Sequence, residues 1–226
     1  MEYIIVEYHM YTAIIIEPRQ HPAFLYVIKN ALSVLECNII IYHGNMNKVF
    51  VEKMIEPLPE KHRITLVHLN VNNFTPKEYS VFLKTNKHFY ASIPTDTFLI
   101  FQTDSILFEK NKEMIHRFLN YDYVGAPWGW DRLTGVGNGG LSIRNKLKML
   151  EIIEKEPYND QPEDVFFSMN KSVSLYKPSV SDAKHFSVEH MYEPVTFGSH
   201  QPWLQKHTDF YKLYPELVEF GKLHGK

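Results

Sequence analysis

The sequence predicts a single α/β domain built on a Rossmann-like, mostly parallel central sheet with helices on both faces. Strand-like and helix-like segments alternate through residue 110, which is the rhythm of a parallel sheet with crossover helices. The strand-like segments are continuous apolar runs, as strands buried on both faces must be. With 226 residues and no internal repeat or low-complexity linker, the chain suits one domain with a substantial core.

The first strand is the β-branched run Thr12–Ile16, stopped by Glu17-Pro18-Arg19. Pro22 then stands at the first position of a helix whose apolar face is Phe24, Val27, Ile28, Ala31, Leu32 and Leu35. Asn38–Tyr42 is the second strand, Val49–Ile55 a helix stopped by Pro57 and Pro59, and Ile64–Leu69 the third strand. Thr75-Pro76-Lys77-Glu78 carries a capping box with proline at the first helical position, and the apolar face runs on through Tyr79, Phe82, Leu83 and Tyr90. The fourth strand is Phe98-Leu99-Ile100-Phe101, interrupted by Gln102-Thr103-Asp104 and resumed as Ile106-Leu107-Phe108. A helix with Met114, Ile115, Phe118 and Leu119 follows.

Beyond this point the alternation stops. Six of the ten glycines fall between Gly125 and Gly140, which marks backbone in unusual conformations or in close approach to something. Gly135, Gly137 and Gly140 imitate a dinucleotide fingerprint, but they follow no first strand and no acidic residue is placed to take a ribose. A glycine-rich hairpin or bulge is the better reading. A helix resumes after Asn145 and stops at Pro157, and Glu163-Asp164 sit in the first turn of another.

A formal net charge of -2 provides no basic field for nucleic acid. The single cysteine, Cys37, excludes an internal disulfide and a thiolate zinc cluster and fits a reducing compartment. The first 16 residues lack a basic leader, Glu2, Glu7 and His9 interrupt their apolar patches, and no run approaches the roughly 20 residues that span a bilayer. A cytoplasmic protein is the expectation.

Open α/β sheets bind ligands beyond the carboxyl ends of their strands, which puts Asp104 where a metal or a phosphate-bearing ligand is held. An aspartate there also serves to close its own turn. Glu163 and Asp164 suit a catalytic base, and equally suit the positive end of a helix. His200 in Phe197–Trp203 is a candidate imidazole ligand, although most of the 12 histidines must be ordinary surface or core residues.

Seven segments, IEPRQHP (16–22), IYHGN (41–45), FQTDSILF (101–108), YDYVGAPW (121–128), GNGGLSIRN (137–145), PEDVFF (162–167) and FGSHQPW (197–203), resemble in order and spacing the DUF5672 family, over about Ile14 to Trp203. That family belongs among the GT-A-type nucleotide-sugar glycosyltransferases. The resemblance implies a GT-A domain whose residues 1–110 bind nucleotide and whose irregular residues 111–226 hold acceptor and catalytic groups. It also implies transfer of a sugar from a UDP- or GDP-linked donor to a hydroxyl of a glycan, protein or lipid. In such enzymes a DxD element holds a cation that neutralises the departing diphosphate. Here it reads Gln102-Thr103-Asp104, leaving Asp104 as the carboxylate ligand, His200 as the second ligand to Mn²⁺ or Mg²⁺, and Gln102 for the ribose. Glu17 and Arg19 fall where base or ribose is contacted, and Lys84 where it would reach the diphosphate. Gly139 and Gly140 resemble the pair that lets backbone approach the donor sugar. Asp164 is the implied base of an inverting displacement, with Glu163 orienting the acceptor. Trp128, Trp130 and Trp203 are candidate sugar-stacking rings, with core packing as their alternative. The competing reading is an inactive binding module of the same shape, suggested by the missing first carboxylate. A nucleotidyltransferase would want more converging carboxylates than Asp104 alone.

Overall fold

The computed structural model of the protein describes residues 10–130 and 133–226. Met1–His9, on which most of the leader expectation rests, and the side chain of Trp130 lie outside what is described. No helix among the described residues is long and apolar enough to cross a membrane.

The first half follows the expected alternation within a residue or two: β1 (Tyr11–Ile16), α1 (Phe24–Val34), β2 (Ile39–His43), α2 (Lys48–Ile55), β3 (Ile64–His68), α3 (Pro76–Thr85), α4 (Lys87–Ala91) and β4 (Thr97–Phe101). Pro22 is not the first helical residue. It lies in the turn before α1, where Ala23 is the N-cap and donates its N–H to His21 Nδ1 at 3.1 Å. The apolar face from Tyr79 to Tyr90 is likewise split, because the side chain of Asn86 accepts from Phe89 N–H and starts α4 afresh. The capping box at Thr75 and Glu78 is present as expected.

The central sheet has six strands in the order β3-β2-β1-β4, followed by β9 (Leu141–Asn145) and β6 (Tyr123–Gly125). The first four are parallel, while β9 runs antiparallel to both its neighbours. Successive side chains of a strand point to opposite faces, and both faces are covered. Ala13, Ile15, Ile39, Ile41, Leu99 and Phe101 pack on one side with α1 and α2. Ile14, Ile16, Ile40, Tyr42, Phe98 and Ile100 pack on the other with Leu83, Phe89 and Tyr90. Met149 and Ile152 of α5 (Lys146–Lys155) and Phe166 and Phe167 of α6 (Glu163–Ser168) complete that second face.

The stretch from Phe98 to Phe108 is not one strand. Ser105 N–H donates to Gln102 O at 3.0 Å, and Gln102 N–H to Ser105 Oγ at 3.2 Å, so the chain turns at Gln102-Thr103-Asp104. It then enters a second sheet as β5 (Ser105–Leu107), held at the side of α1 by reciprocal bonds between Asn30 and the backbone of Leu107. That sheet is completed by β10 (Ser187–Val188) and β11 (Gly198–His200), the latter antiparallel to β5. The helix expected at Met114–Leu119 is a run of 3₁₀ turns over Glu109–Arg117 with a non-helical Asn111, whose amide bonds Thr196 O and Tyr214 Oη.

A hairpin does form, but earlier than expected: β7 (Pro127–Trp130) pairs with β8 (Leu133–Val136), and the stretch from Gly135 to Arg144 is instead the end of β8 and a turn into β9 in the central sheet. The last third contains α7 (Val180–Phe186), α8 (Thr208–Leu213) and α9 (Glu216–Lys222), whose apolar residues join the first face of the core. Replacing Thr75 by alanine removes an N-cap and should cost about 1 kcal/mol. For a domain of this size that lowers the melting temperature by about 2–4 °C, and calorimetry that showed no drop would remove the cap from the stabilising features.

Candidate functional site

The turn between β4 and β5 opens onto a cleft of about 500 Å³, within the range of ligand-binding pockets. Its walls come from the ends of β1 and β4, the start of α3, the glycines before β9, the start of α6, the end of β11 and His224. Glu17, Arg19, Gln102, Thr103, Asp104, Gly139, Gly140, Glu163, Asp164 and His200, separated widely in sequence, all line it.

Asp104 does more than close its own turn. Its Oδ2 accepts from Gln201 Nε2 at 2.9 Å and its Oδ1 lies 3.2 Å from His200 Nε2, across 97 and 96 positions of sequence. Gln201 is clamped to Asp104 a second time, donating its own N–H to the Asp104 carbonyl at 2.9 Å. It does so with φ at 46°, a left-handed conformation that costs a side-chain-bearing residue about 1 kcal/mol.

His200 is buried between two carboxylates. Its Nδ1 is 2.9 Å from Glu189 Oε1, and Glu189 Oε2 in turn accepts from Asn138 Nδ2 at 3.1 Å. Asn138 Oδ1 accepts from Gly140 N–H at 2.9 Å, which closes the chain of bonds around the ring. Gly140 is required here, since a Cβ would collide with the His200 imidazole. Burial opposes charge on that imidazole, but Asp104 and Glu189 outweigh it and push the pKa up to about 10. For Asp104 burial acts upward, and His200 and Gln201 bring it down to about 2.

The His200 Nε2 proton faces Asp104 Oδ1 at 3.2 Å, and a cation would bind this pair only by displacing that proton, which leaves Nε2 and Oδ1 as its two ligands. Two ligands at about 2.1 Å at right angles lie about 3 Å apart, close to the separation found. Glu189 on Nδ1 is the carboxylate that fixes the tautomer of a metal-ligating imidazole. Among the described residues no group of three or more His, Cys, Asp or Glu is arranged around one point, so the protein would contribute two ligands.

Next to Gly139, Arg144 is fully buried at the end of β9, and its guanidinium meets Glu163 in a two-pronged contact of 2.6 and 3.0 Å. Tyr123 and Phe167 lie about the guanidinium, with ring centroids 5.1 and 5.7 Å from it. Gly139 makes room for this arrangement, because a Cβ there would run into Glu163 and Arg144. The two glycines thus admit protein side chains to the cleft wall. Asp164, one residue on, has its pKa raised to about 6, first by burial and then by the neighbouring Glu163 charge.

Three expected roles change with this geometry. Glu17 gives both carboxylate oxygens to Arg19, at 2.7 and 2.8 Å, which leaves the half-exposed guanidinium as the outward-facing group. Lys84 is outside the cleft: buried rather than solvated, its Nζ donates to the carbonyls of Asn159 and Gln161 at 2.8 Å each, and so fastens the loop leading into α6. Trp128 is a core residue packed over Gly137, while Trp203 packs at a tilt of 40° against His224, with 4.7 Å between centroids.

Removing either partner of the Arg144–Glu163 pair should be severe, as it strands a buried charge. Arg144→Leu is expected to cost about 3–5 kcal/mol in urea unfolding, and Arg144→Leu with Glu163→Leu clearly less. Equal losses from the single and the double change would show that packing, not charge, sets the cost.

Residues 63–201 match the DUF5672 family, described as a protein of unknown function. The match is shorter than the resemblance suggested, and the segments at 16–22 and 41–45 precede it. No curated protein matches the chain. Among solved structures, the galactosyltransferase LgtC in complex with donor and acceptor sugar analogs is 12% identical, with 95% of each chain covered and a TM-score of 0.52. TarS 1-349 of S. aureus is 11% identical, covering 94% of this chain and 65% of that one, also at 0.52. HddC from Yersinia pseudotuberculosis is 14% identical over 74% of this chain and 88% of that one, at 0.49. The fold is of the GT-A type shared with LgtC and TarS, and with more than half of its length matched, the chain belongs to the DUF5672 family.

Proposed function

We propose that the protein is a glycosyltransferase that moves a sugar from a UDP- or GDP-linked donor to a hydroxyl of a glycan, protein or lipid, with inversion at the anomeric carbon. The observation that carries the reading is that one cleft is lined both by Asp104 and His200, 3.2 Å apart, and by a separate carboxylate, Asp164, with its pKa raised to about 6. Asp104 and His200 would hold Mn²⁺ or Mg²⁺, the imidazole favouring Mn²⁺. When bound there, a cation would neutralise the charge that gathers on the leaving diphosphate.

Arg19, braced by Glu17, faces the nucleotide, and Gln102 and Thr103 lie beside it on the cleft wall. Asp164 accepts the proton of the acceptor hydroxyl as that oxygen attacks from the face opposite the leaving group. Its own N-terminal position is fixed by the bond from Val165 N–H to Oδ1 at 2.8 Å. Glu163, neutralised by Arg144, positions rather than reacts. An inactive binding module is the second reading, favoured by Gln102 where a first metal carboxylate would stand.

Asp104→Ala should abolish cation-dependent nucleotide binding measured by thermal shift. Asp164→Asn should bind nucleotide as the parent does and lose transfer by about a hundredfold or more. Because the base must be unprotonated, kcat/KM should rise with pH through about 6 and level off above it. A flat profile between pH 5 and 7, or full transfer by Asp164→Asn, would exclude this base. Nucleotide binding without turnover on any acceptor would favour the second reading.

A further inference from the structure

The first turn of α6 carries two cleft carboxylates, yet little of its own holds it in place. The helix has six residues, and its N-cap, Pro162, makes no side-chain capping bond. Residues 158–162, which lead into it, are largely exposed, so no apolar burial fixes the approach.

What holds this segment comes from α3. Ser80 Oγ accepts from Glu163 N–H at 3.3 Å. One helical turn further on, Lys84 Nζ bridges the carbonyls of Asn159 and Gln161, and Gln161 N–H bonds Asn159 Oδ1 at 3.1 Å within the loop. The same helix meets the turn of Asp104, since the Tyr79 hydroxyl has the Gln102 side chain beside it.

The Lys84 ammonium is itself enclosed. The ring of Tyr158 lies 4.6 Å from it and that of Phe166 5.6 Å. Tyr158 precedes Glu163-Asp164 and Phe166 follows them, so one cation touches the segment on both sides of the carboxylates. An ammonium has three hydrogens to donate and no acceptor, which suits two carbonyls and the face of a ring.

Asp164 depends on where this segment sits. Its Cβ is packed so closely on Gly139 that a side chain there would strike it. The charges that act most on its carboxyl are those of Glu163 and Arg144, and the backbone of Val165 and Gly139 bonds it. Lys84 thus reaches Asp164 through the loop rather than by its own charge.

Resting on the reading of Asp164 as the base, we propose that Lys84 is its positioning residue: by drawing the Asn159 and Gln161 carbonyls onto α3, the ammonium seats the start of α6 and keeps the Asp164 carboxyl in the shielded wall of the cleft. Lys84 touches neither ligand nor reacting atom. It is a clamp outside the cleft for a group inside it.

The test is a carbon-13 NMR titration of the Asp164 carboxyl, assigned by its loss in Asp164→Asn, in the parent protein and in Lys84→Met. Methionine keeps an unbranched stem and deletes every donor. The parent midpoint should lie at about 6. In Lys84→Met it should fall to about 4, the ordinary aspartate value, as water reaches the carboxyl. UDP and GDP, titrated with Mn²⁺, should bind the variant as they bind the parent. A variant that melts earlier but keeps the parent midpoint would show a lysine of structural use only and overturn the proposal. A midpoint that rises would show action by charge, and loss of nucleotide binding along with the fall would show collapse of the whole cleft; either overturns it. If Lys84→Met does not fold, Lys84→Gln is read in the same way. A parent midpoint near 4 would remove the base and the transferase reading with it. Failure of the parent to bind either nucleotide, with its midpoint near 6 and the fall in the variant, would overturn that reading and leave the clamp in place.

Discussion

Arg144 keeps a full positive charge where no water reaches it, and the local architecture follows from what that charge demands. A guanidinium taken out of water must be met by a carboxylate with both oxygens in place, and Glu163 provides them. That requirement ties the end of β9 to the first turn of α6, excludes any side chain at Gly139, and fills the space between Tyr123 and Phe167. Asp164 then has its place and its character decided for it. Burial in this wall, and after it the neighbouring Glu163 carboxylate, raise its proton affinity above that of an ordinary aspartate.

One residue on from Gly139, the cleft is organised around a ring rather than a fork. His200 closes β11, and its two nitrogens face carboxylates from distant parts of the chain, Glu189 and Asp104. Because β5 and β11 belong to the small sheet while Gly140 leads into the central one, this ring stands at the junction of the two. The order of the small sheet is thus needed to bring the C-terminal histidine to the turn after β4. What the solved relatives of the fold contribute is the framework, and these contacts belong to the present chain.

Much of this framework could be read from the sequence because burial on two faces leaves continuous apolar runs, as in Ile39-Ile40-Ile41 and Phe98–Phe101, and because Thr75 and Glu78 cap locally. Asp104 and Asp164 were legible as candidates through their places after a strand and in the first turn of a helix, His200 as an imidazole in a loop, and the paired glycines through the family resemblance. The departure of β5 was not, since a run of apolar residues on either side of a turn does not say which sheet each half joins. Lys84 looked like a helix-face charge because its partners are carbonyls more than 70 residues away. Glu189, Arg144 and Gln201 carried no signal of their own: their roles come from long-range pairing, which leaves no period in a single sequence. Tyr79 was read from its spacing as part of an apolar helix face, and that spacing is silent about where the hydroxyl ends.

Gln201 has a consequence of a different kind. Its left-handed backbone is strained for any residue but glycine, and the same conformation is what presents both its N–H and its amide to Asp104. Glycine at this position would relax the chain and at the same stroke release the carboxylate. A search for hardier variants of the protein would therefore be drawn to this site and would be rewarded there with a sturdier but emptied turn, a local case of robustness and activity pulling in opposite directions.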